Sequence, residues 1–367
     1  MRLALRDAFA KLSAVIKNTA SSKSIPTEKQ VGQLAKAVAI CAVVSLHFLA
    51  LFPETLYTAE GKGIYFIVLN QIARFSVPLF LALSGFGLAR KYQHEIPSLR
   101  EFFMRRVSKL LPPYLLWSVI LLAIMRISDS WQQSQGSLWE SLLYGEADYH
   151  LYFVPVIFQL YLLFVFLLKI KRRQLFWLVL ASGLLQAVWF VAIRYLAAQE
   201  STLLTGLTDD QVQYRLLTNW IFYFVFGVLL SQLSLERLRR LTFLKPVLAL
   251  VVLGSLVWAV TDSQEVIKTT GDIIFATGFT RLPVFVYATG VITAVTVYGQ
   301  QLLAGVRLEK NPLMFIGRHS YAIYLSHTLV LRIIEAFMEG GTEFAAVTLA
   351  AVLLATGLVA SKQFSVG

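Results

Sequence analysis

The chain has 367 residues, 57% of them hydrophobic and 15% charged, with a mean hydropathy of +0.66, a balance that excludes a water-soluble globular domain and makes lipid the solvent. A spanning helix takes about 20 apolar residues, so this length accommodates about ten spans with short connections and excludes a large soluble domain. The formal net charge of +12 lies in the gaps between apolar runs, where it reads as an orientation signal and as contact with membrane lipids, not as a nucleic-acid surface, and the single Cys41 excludes an intrachain disulfide and any multi-cysteine metal site.

In chain order, the first 18 residues set Arg2, Arg6, Lys11 and Lys17 among Leu3, Leu5, Phe9, Leu12 and Ile16 at helical spacing, without the continuous apolar core and small-residue cleavage site of a secretory signal. An amphipathic helix on the inner membrane face is expected there, followed by a linker through Pro26, so that residues 1–30 form a cytoplasmic segment and 31–367 a transmembrane domain. Apolar runs of spanning length then fall at 33–52, 64–89, 112–127, 151–168, 174–197, 217–234, 243–262, 282–303, 312–337 and 343–361. The second contains Arg74, Pro78 and Gly85, and the third is short and opens on Pro112 and Pro113, helix breakers whose freed backbone groups neighbouring helices must satisfy.

Lys and Arg collect in alternate connections. The N-terminal segment, Arg90 to Lys109, Lys169 to Arg173, Arg237 to Lys245, and Arg307 with Lys310 are rich in them, and the opposite connections are poor. This bias puts both termini on the cytoplasmic side of the cell (inner or plasma) membrane, in a multi-pass, all-α protein whose helices surround a polar cavity.

An ionisable group near a span centre costs about 2.5–3.5 kcal/mol on insertion scales, so the polar residues inside these runs are where chemistry is to be sought. Lys36 and His47 stand eleven residues apart, roughly 16 Å along a helix and close to three whole turns, and so share a face. The ammonium suits a phosphate-bearing donor near the inner face, and the imidazole suits proton abstraction from an alcohol or transient acyl carriage. The plainer readings are a snorkelling lysine and an interhelical hydrogen bond. Arg74 lies too deep to be an orientation signal and reads either as a fixed cation facing the cavity or as one half of an ion pair. Arg105, Arg106 and Lys109 form a basic cluster before the third span, suited to clamping phosphates or to anionic lipid. His150 opens the fourth span among Tyr149, Tyr152 and Phe153 and reads equally as part of an aromatic belt. In the ninth run, Ser320, Tyr324 and His327 are spaced as one polar stripe, with His327 a second functional imidazole or a helix-to-helix tether.

Motifs for a phosphate-cradling loop, a dinucleotide-binding turn, a zinc-spaced histidine pair and a nucleophile elbow are absent from the sequence. Five segments, in this order, resemble the membrane-bound acyltransferase family 3: AKAVAICAVVSLH, RFSVPLFLALSGFGL, RRVSKLLPPYLLW, HLYFVPVIFQLYLL and IGRHSYAIYLSH. The likeness runs from about residue 33 to 337 of the sequence. It implies that His47 is the catalytic imidazole, that Lys36, Arg105, Arg106 and Lys109 lie toward the phosphates of coenzyme A, and that Ser84, Tyr321 and His327 line or support the site. The chain departs in carrying Lys at 36 and 109, where the family more often has Arg, and Tyr at 152, where it more often has Trp. Lysine lacks the bidentate fork of arginine.

The expected function is therefore transfer of an acyl group, acetyl in the first instance, from acetyl-CoA or another acyl-CoA to a hydroxyl of an envelope saccharide or lipid-linked glycan. Arg74 and His150 join Ser84, Tyr321 and His327 as expected acceptor-side residues, no metal is expected, and transfer is expected to finish within the membrane domain. The competing reading is a secondary transporter or flippase that uses the same His and Arg residues as proton relay and counter-charge.

Overall fold

The computed structural model describes residues 25–51, 63–127, 137–198, 210–241, 243–306, 308 and 311–338. The amphipathic segment expected over 1–18 and the tenth apolar run at 343–361 lie outside the described residues. Every regular element among the described residues is helical. In chain order the α-helices are α1 (Glu28–Leu49), α2 (Gly63–Ala73), α3 (Ser76–Lys91), α4 (Leu99–Ile127), α5 (Leu138–Tyr144), α6 (Phe153–Leu167), α7 (Arg172–Ala198), α8 (Asp210–Arg215), α9 (Ile221–Gln232), α10 (Leu235–Arg240), α11 (Leu244–Thr270), α12 (Ile273–Thr277), α13 (Leu282–Thr293), α14 (Gly299–Leu302), α15 (Pro312–Arg318) and α16 (Ser320–Met338), with a short 3-10 helix at Leu217–Asn219 and a π-helical turn at Ala294–Tyr298.

Among the described residues, six helical stretches are long and apolar enough to cross a membrane: Glu28–Leu49, Gly63–Lys91, Leu99–Ile124, Arg172–Leu196, Leu244–Thr270 and Ile273–Leu302. Helices Phe153–Leu167 and Ile221–Gln232 are apolar but shorter, and the described residues do not confirm the ten spans read from hydropathy. Their presence makes this an integral membrane protein.

Local chemistry accounts for the boundaries. Thr27 and Gln30 form a reciprocal capping box, which starts α1 five residues ahead of the apolar run. The second run breaks between α2 and α3 at Arg74 and Phe75. Pro78 lacks an N–H, so the carbonyl of Arg74 loses its helical donor, and the proline ring crowds that same carbonyl. By contrast, α4 passes straight through Pro112 and Pro113. The basic stretch expected to lie separately ahead of the third span is the first half of that same helix, continuous with it. The ninth run divides into α15 and α16 at His319, whose Nδ1 donates to the carbonyl of Phe315 at 2.9 Å.

Small residues bring helices into backbone contact. A Cβ on Gly227 of α9 would meet the Ala82 carbonyl of α3, one on Gly85 of α3 would meet the Phe224 carbonyl of α9, and one on Gly317 of α15 would meet the Gln33 carbonyl of α1. Apolar burial gives little drive between helices in lipid, so close van der Waals approach of this kind carries the packing. Around the α3–α9 pair the core gathers Phe102, Phe164, Phe224 and Val228. The α1–α15 contact fixes the first helix against the last ones, which is what positions the site.

Gly227→Ala should therefore lower stability by about 1–3 kcal/mol through overpacking. Gly254→Ala, where nothing lies within 4 Å of the added methyl, should be neutral or gain up to about 1 kcal/mol. Thermal unfolding of the two variants in one detergent checks the difference.

Candidate functional site

Three elements bring histidines together: the last turn of α1 carries His47, the middle of α16 carries His327, and the turn before α6 carries His150. His47 Nδ1 and His327 Nε2 are 2.5 Å apart, with the rings nearly parallel at 4.8 Å. On its other side, His327 Nδ1 lies 2.7 Å from the carbonyl oxygen of Tyr324. A carbonyl can only accept, so Nδ1 of His327 carries the proton and its Nε2 presents a lone pair. His47 must then donate from Nδ1, and the neutral ring keeps its lone pair on Nε2. The network thus assigns the tautomers of both rings.

His47 lines a cavity of about 640 Å³, within the ~300–1,000 Å³ range of small-molecule sites. His327 stands behind it and is buried, and the His150 ring packs edge-on against His327 at 4.9 Å. The hydroxyl of Tyr324 donates to the His150 carbonyl at 2.5 Å, tying α16 to the turn before α6. No group of three or more His, Cys, Asp or Glu among the described residues has the arrangement of a metal site.

Two residues beside this cluster have no place in the sequence reading. Asp148 is 1% exposed, accepts from the backbone N–H of Tyr149 at 2.8 Å and pairs with Arg332 at 3.1 Å, and its second oxygen lies 3.7 Å from His150 Nδ1. In the sequence Asp148 belongs to a polar outer loop and Arg332 to a span end. Only the fold sets them together.

The other end of the cavity, nearer the start of α1, is cationic: Lys36, Lys91 and Arg106 all line it. The Arg106 guanidinium sits over the rings of Phe102 and Tyr161 at 5.4 and 5.7 Å, and its Nε is buried without a hydrogen-bond partner among the described residues. Arg105 and Lys109 do not line the cavity. Arg105 is 59% exposed and pairs with Glu101 at 2.5 Å, and Lys109 is exposed. The reason is helical geometry: Phe102, Arg106 and Leu110 recur every fourth residue and face inward, which turns Arg105 and Lys109 outward. Lys91, read from the sequence only as an orientation signal, belongs to the cavity instead.

Between the ends, Ser84 faces Tyr161 at 3.3 Å, and Tyr321 lines the wall while donating to the Leu110 carbonyl at 2.8 Å. Arg74 also lines the wall, with its Nε donating to Asn70 at 2.9 Å. Lys36, His47, Arg74, Ser84, Arg106, His150 and Tyr321 thus share one cavity, with His327 immediately behind it.

A cationic pole and an imidazole with an assigned free lone pair thus stand along one wall of the cavity. A family model for an acyltransferase domain, Acyl_transf_3, matches residues 33–360. The chain belongs to this acyltransferase family. It is similar to the O-acetyltransferase OatA of Staphylococcus aureus, with 25% identity over 297 residues to the proteins of strains COL and MRSA252, covering 72% of this chain and 47% of each relative. The chain therefore spans about half the length of the curated relatives it matches. No solved structure matches it.

Arg332→Ala would leave Asp148 as a buried carboxylate without its cation. With Arg332 itself 28% exposed, a loss of about 2–3 kcal/mol is expected. The double variant Asp148→Asn, Arg332→Gln should recover most of that loss, as read by thermal unfolding in detergent.

Proposed function

We propose that this chain is a membrane O-acetyltransferase that moves an acetyl group from cytoplasmic acetyl-CoA to a hydroxyl of an envelope saccharide or lipid-linked glycan. The observation that carries the reading is the directed chain from the Tyr324 carbonyl through His327 to His47, which leaves His47 Nε2 as a base in the cavity whose far end holds Lys36, Lys91 and Arg106. Family membership and the similarity to O-acetyltransferases add to it.

In this reading the cationic end opens to the cytoplasm, as the positive-inside bias requires, and holds the donor phosphates. The pantetheine arm then runs along the cavity and carries the thioester to His47. His47 Nε2 takes the proton of the acceptor hydroxyl as its oxygen attacks the thioester carbonyl. The tetrahedral intermediate collapses with cleavage of the C–S bond, and the thiolate recovers the proton from Nε2. The products are the ester and free coenzyme A. His327 holds the ring of His47 in the required tautomer and accepts from Nδ1–H while the imidazolium exists, the role a carboxylate plays in hydrolase triads. Asp148 supplies the nearest buried negative charge.

The test is incubation of the purified chain in liposomes with acetyl-labelled coenzyme A and envelope extract, following release of coenzyme A and the labelled ester together. His47→Ala should reduce turnover by about 10²- to 10⁴-fold while the protein stays folded in the membrane. Undiminished activity would remove His47 from the mechanism, and label crossing the bilayer with its covalent structure unchanged would favour a transporter. Arg106→Ala should raise the KM for acetyl-CoA by about tenfold or more, and Arg105→Ala should leave it within about twofold, because only the first faces the cavity.

A further inference from the structure

Four aromatic residues on the wall of the main cavity play no part in the chemistry above: Tyr152, Tyr214, Trp220 and Phe279. They come from three separate stretches, the turn entering α6, the α8–α9 segment and the α12–α13 connection, all at the end where His150 and His47 lie. Their rings are aligned. Trp220 stacks on Phe279 at 4.6 Å and 14°, Phe279 on Tyr214 at 5.1 Å and 21°, Tyr214 on Tyr152 at 4.9 Å and 25°, and Tyr152 on Trp220 at 6.2 Å and 26°.

Apolar packing alone does not demand this alignment. Elsewhere in the core the aromatic pairs are mostly tilted or edge-on, as with Phe164 on Phe224 at 86° and Phe190 on Phe285 at 89°. The cluster is also held in place: Trp220 donates its indole N–H to the Tyr214 carbonyl at 2.9 Å, and Asn219 bonds the Gln213 carbonyl at 2.7 Å. That indole N–H is therefore already used and Trp220 is itself buried, so it backs the cluster, and the rings that present π surface to the cavity are the half-buried Tyr152, Tyr214 and Phe279. An aromatic face is electron-rich, and a good partner for it is a flat array of weakly positive C–H groups. Such an array is the hydrophobic face of a pyranose ring, whose hydroxyls then project sideways toward Arg74, Asn70 and the imidazoles, all on the same cavity wall.

We propose that Tyr152, Tyr214 and Phe279, backed by the buried Trp220, form the acceptor subsite, seating a pyranose ring by its C–H face within the cavity served by His47. This rests on the transfer reading above and names the part of the site that selects the acceptor. Adenine is the other flat group in the reaction, but its phosphates belong with Lys36, Lys91 and Arg106 at the opposite pole. The two substrates thus enter chemically different ends of one cavity. The aromatic end selects for a ring and disfavours a linear polyol.

The experiment uses the full chain in phospholipid nanodiscs, with methyl β-glucoside, cellobiose and chitobiose as probes and sorbitol as the linear control. Binding is read by tryptophan fluorescence without any donor. At least one pyranoside should give a saturable change, absent in Trp220→Phe and retained in Trp258→Phe, whose indole lies on the exposed outer surface. Phe279→Leu keeps the volume and should weaken pyranoside binding about three- to tenfold, with the acceptor KM rising in parallel and the acetyl-CoA KM unchanged. Phe279→Tyr keeps the face and should stay within about twofold. Equal losses in the Leu and Tyr variants, sorbitol binding as well as the pyranosides, no response to any pyranoside, or a rise in the acetyl-CoA KM instead would each overturn the subsite. Pyranoside binding that is lost in Phe279→Leu, with no release of coenzyme A from any acceptor, would reject the transfer chemistry and keep the subsite. Release of coenzyme A with an unchanged pyranoside KM in Phe279→Leu would do the opposite.

Discussion

A carbonyl oxygen has no proton to give, and at Tyr324 that limitation sets the direction of every hydrogen bond in the histidine pair. His327 donates to the carbonyl, His47 donates to His327, and the free lone pair of the pair is left on the one ring that lines the cavity. The carbonyl involved lies three residues before His327 on the same helix, so its position moves with the ring it orients. The base is thereby polarised by helix geometry and needs no buried carboxylate in direct contact. Asp148 is close enough to offset charge, and its own fixed bonds go to Arg332 and the Tyr149 backbone.

That relation depends on how closely the helices approach. His47 and His327 belong to the first and last described helices, and their 2.5 Å contact requires α1 and α16 to be held in register. Gly317 allows α15 to rest on the backbone of α1 near Gln33, on the same helix as Lys36 and His47. The Arg90–Glu28 ion pair at 3.2 Å ties the start of α1 to the end of α3, and α3 is in turn locked to α9 through Gly85 and Gly227. Each contact is a close van der Waals or ionic fit, the form of cohesion available where apolar surface gains little from leaving lipid.

The cavity so enclosed is chemically polar along its length. Cations gather at the end near the start of α1, aligned aromatic rings at the end near its finish, and the imidazole stands beside the rings. In the proposed reaction this separates a phosphate-bearing donor from a ring-bearing acceptor without a domain motion, because the two ligands are recognised by different forces. Arg106 serves this separation through its stacking as well as its charge, since the rings of Phe102 and Tyr161 hold the guanidinium flat against the wall.

The sequence by itself determined what is local. Apolar run length marked the spanning helices, Pro78 marked the break between α2 and α3, and the eleven-residue interval set Lys36 and His47 on one face, because helix periodicity and backbone sterics act within a few turns. The same periodicity, applied along α4 as one helix through Pro112 and Pro113, separates Arg106 from Arg105 and Lys109. By sequence proximity alone those three residues form one basic cluster at the membrane face, just before the prolines. What only the tertiary structure decided is which faces meet. The His47–His327 pair spans 280 positions, Arg332 and Asp148 are 184 apart, and the aromatic cluster draws on three unconnected segments. Partners so distant are chosen by which helices become neighbours, and that choice is made by backbone-to-backbone fit at a few small residues whose significance no local pattern reveals.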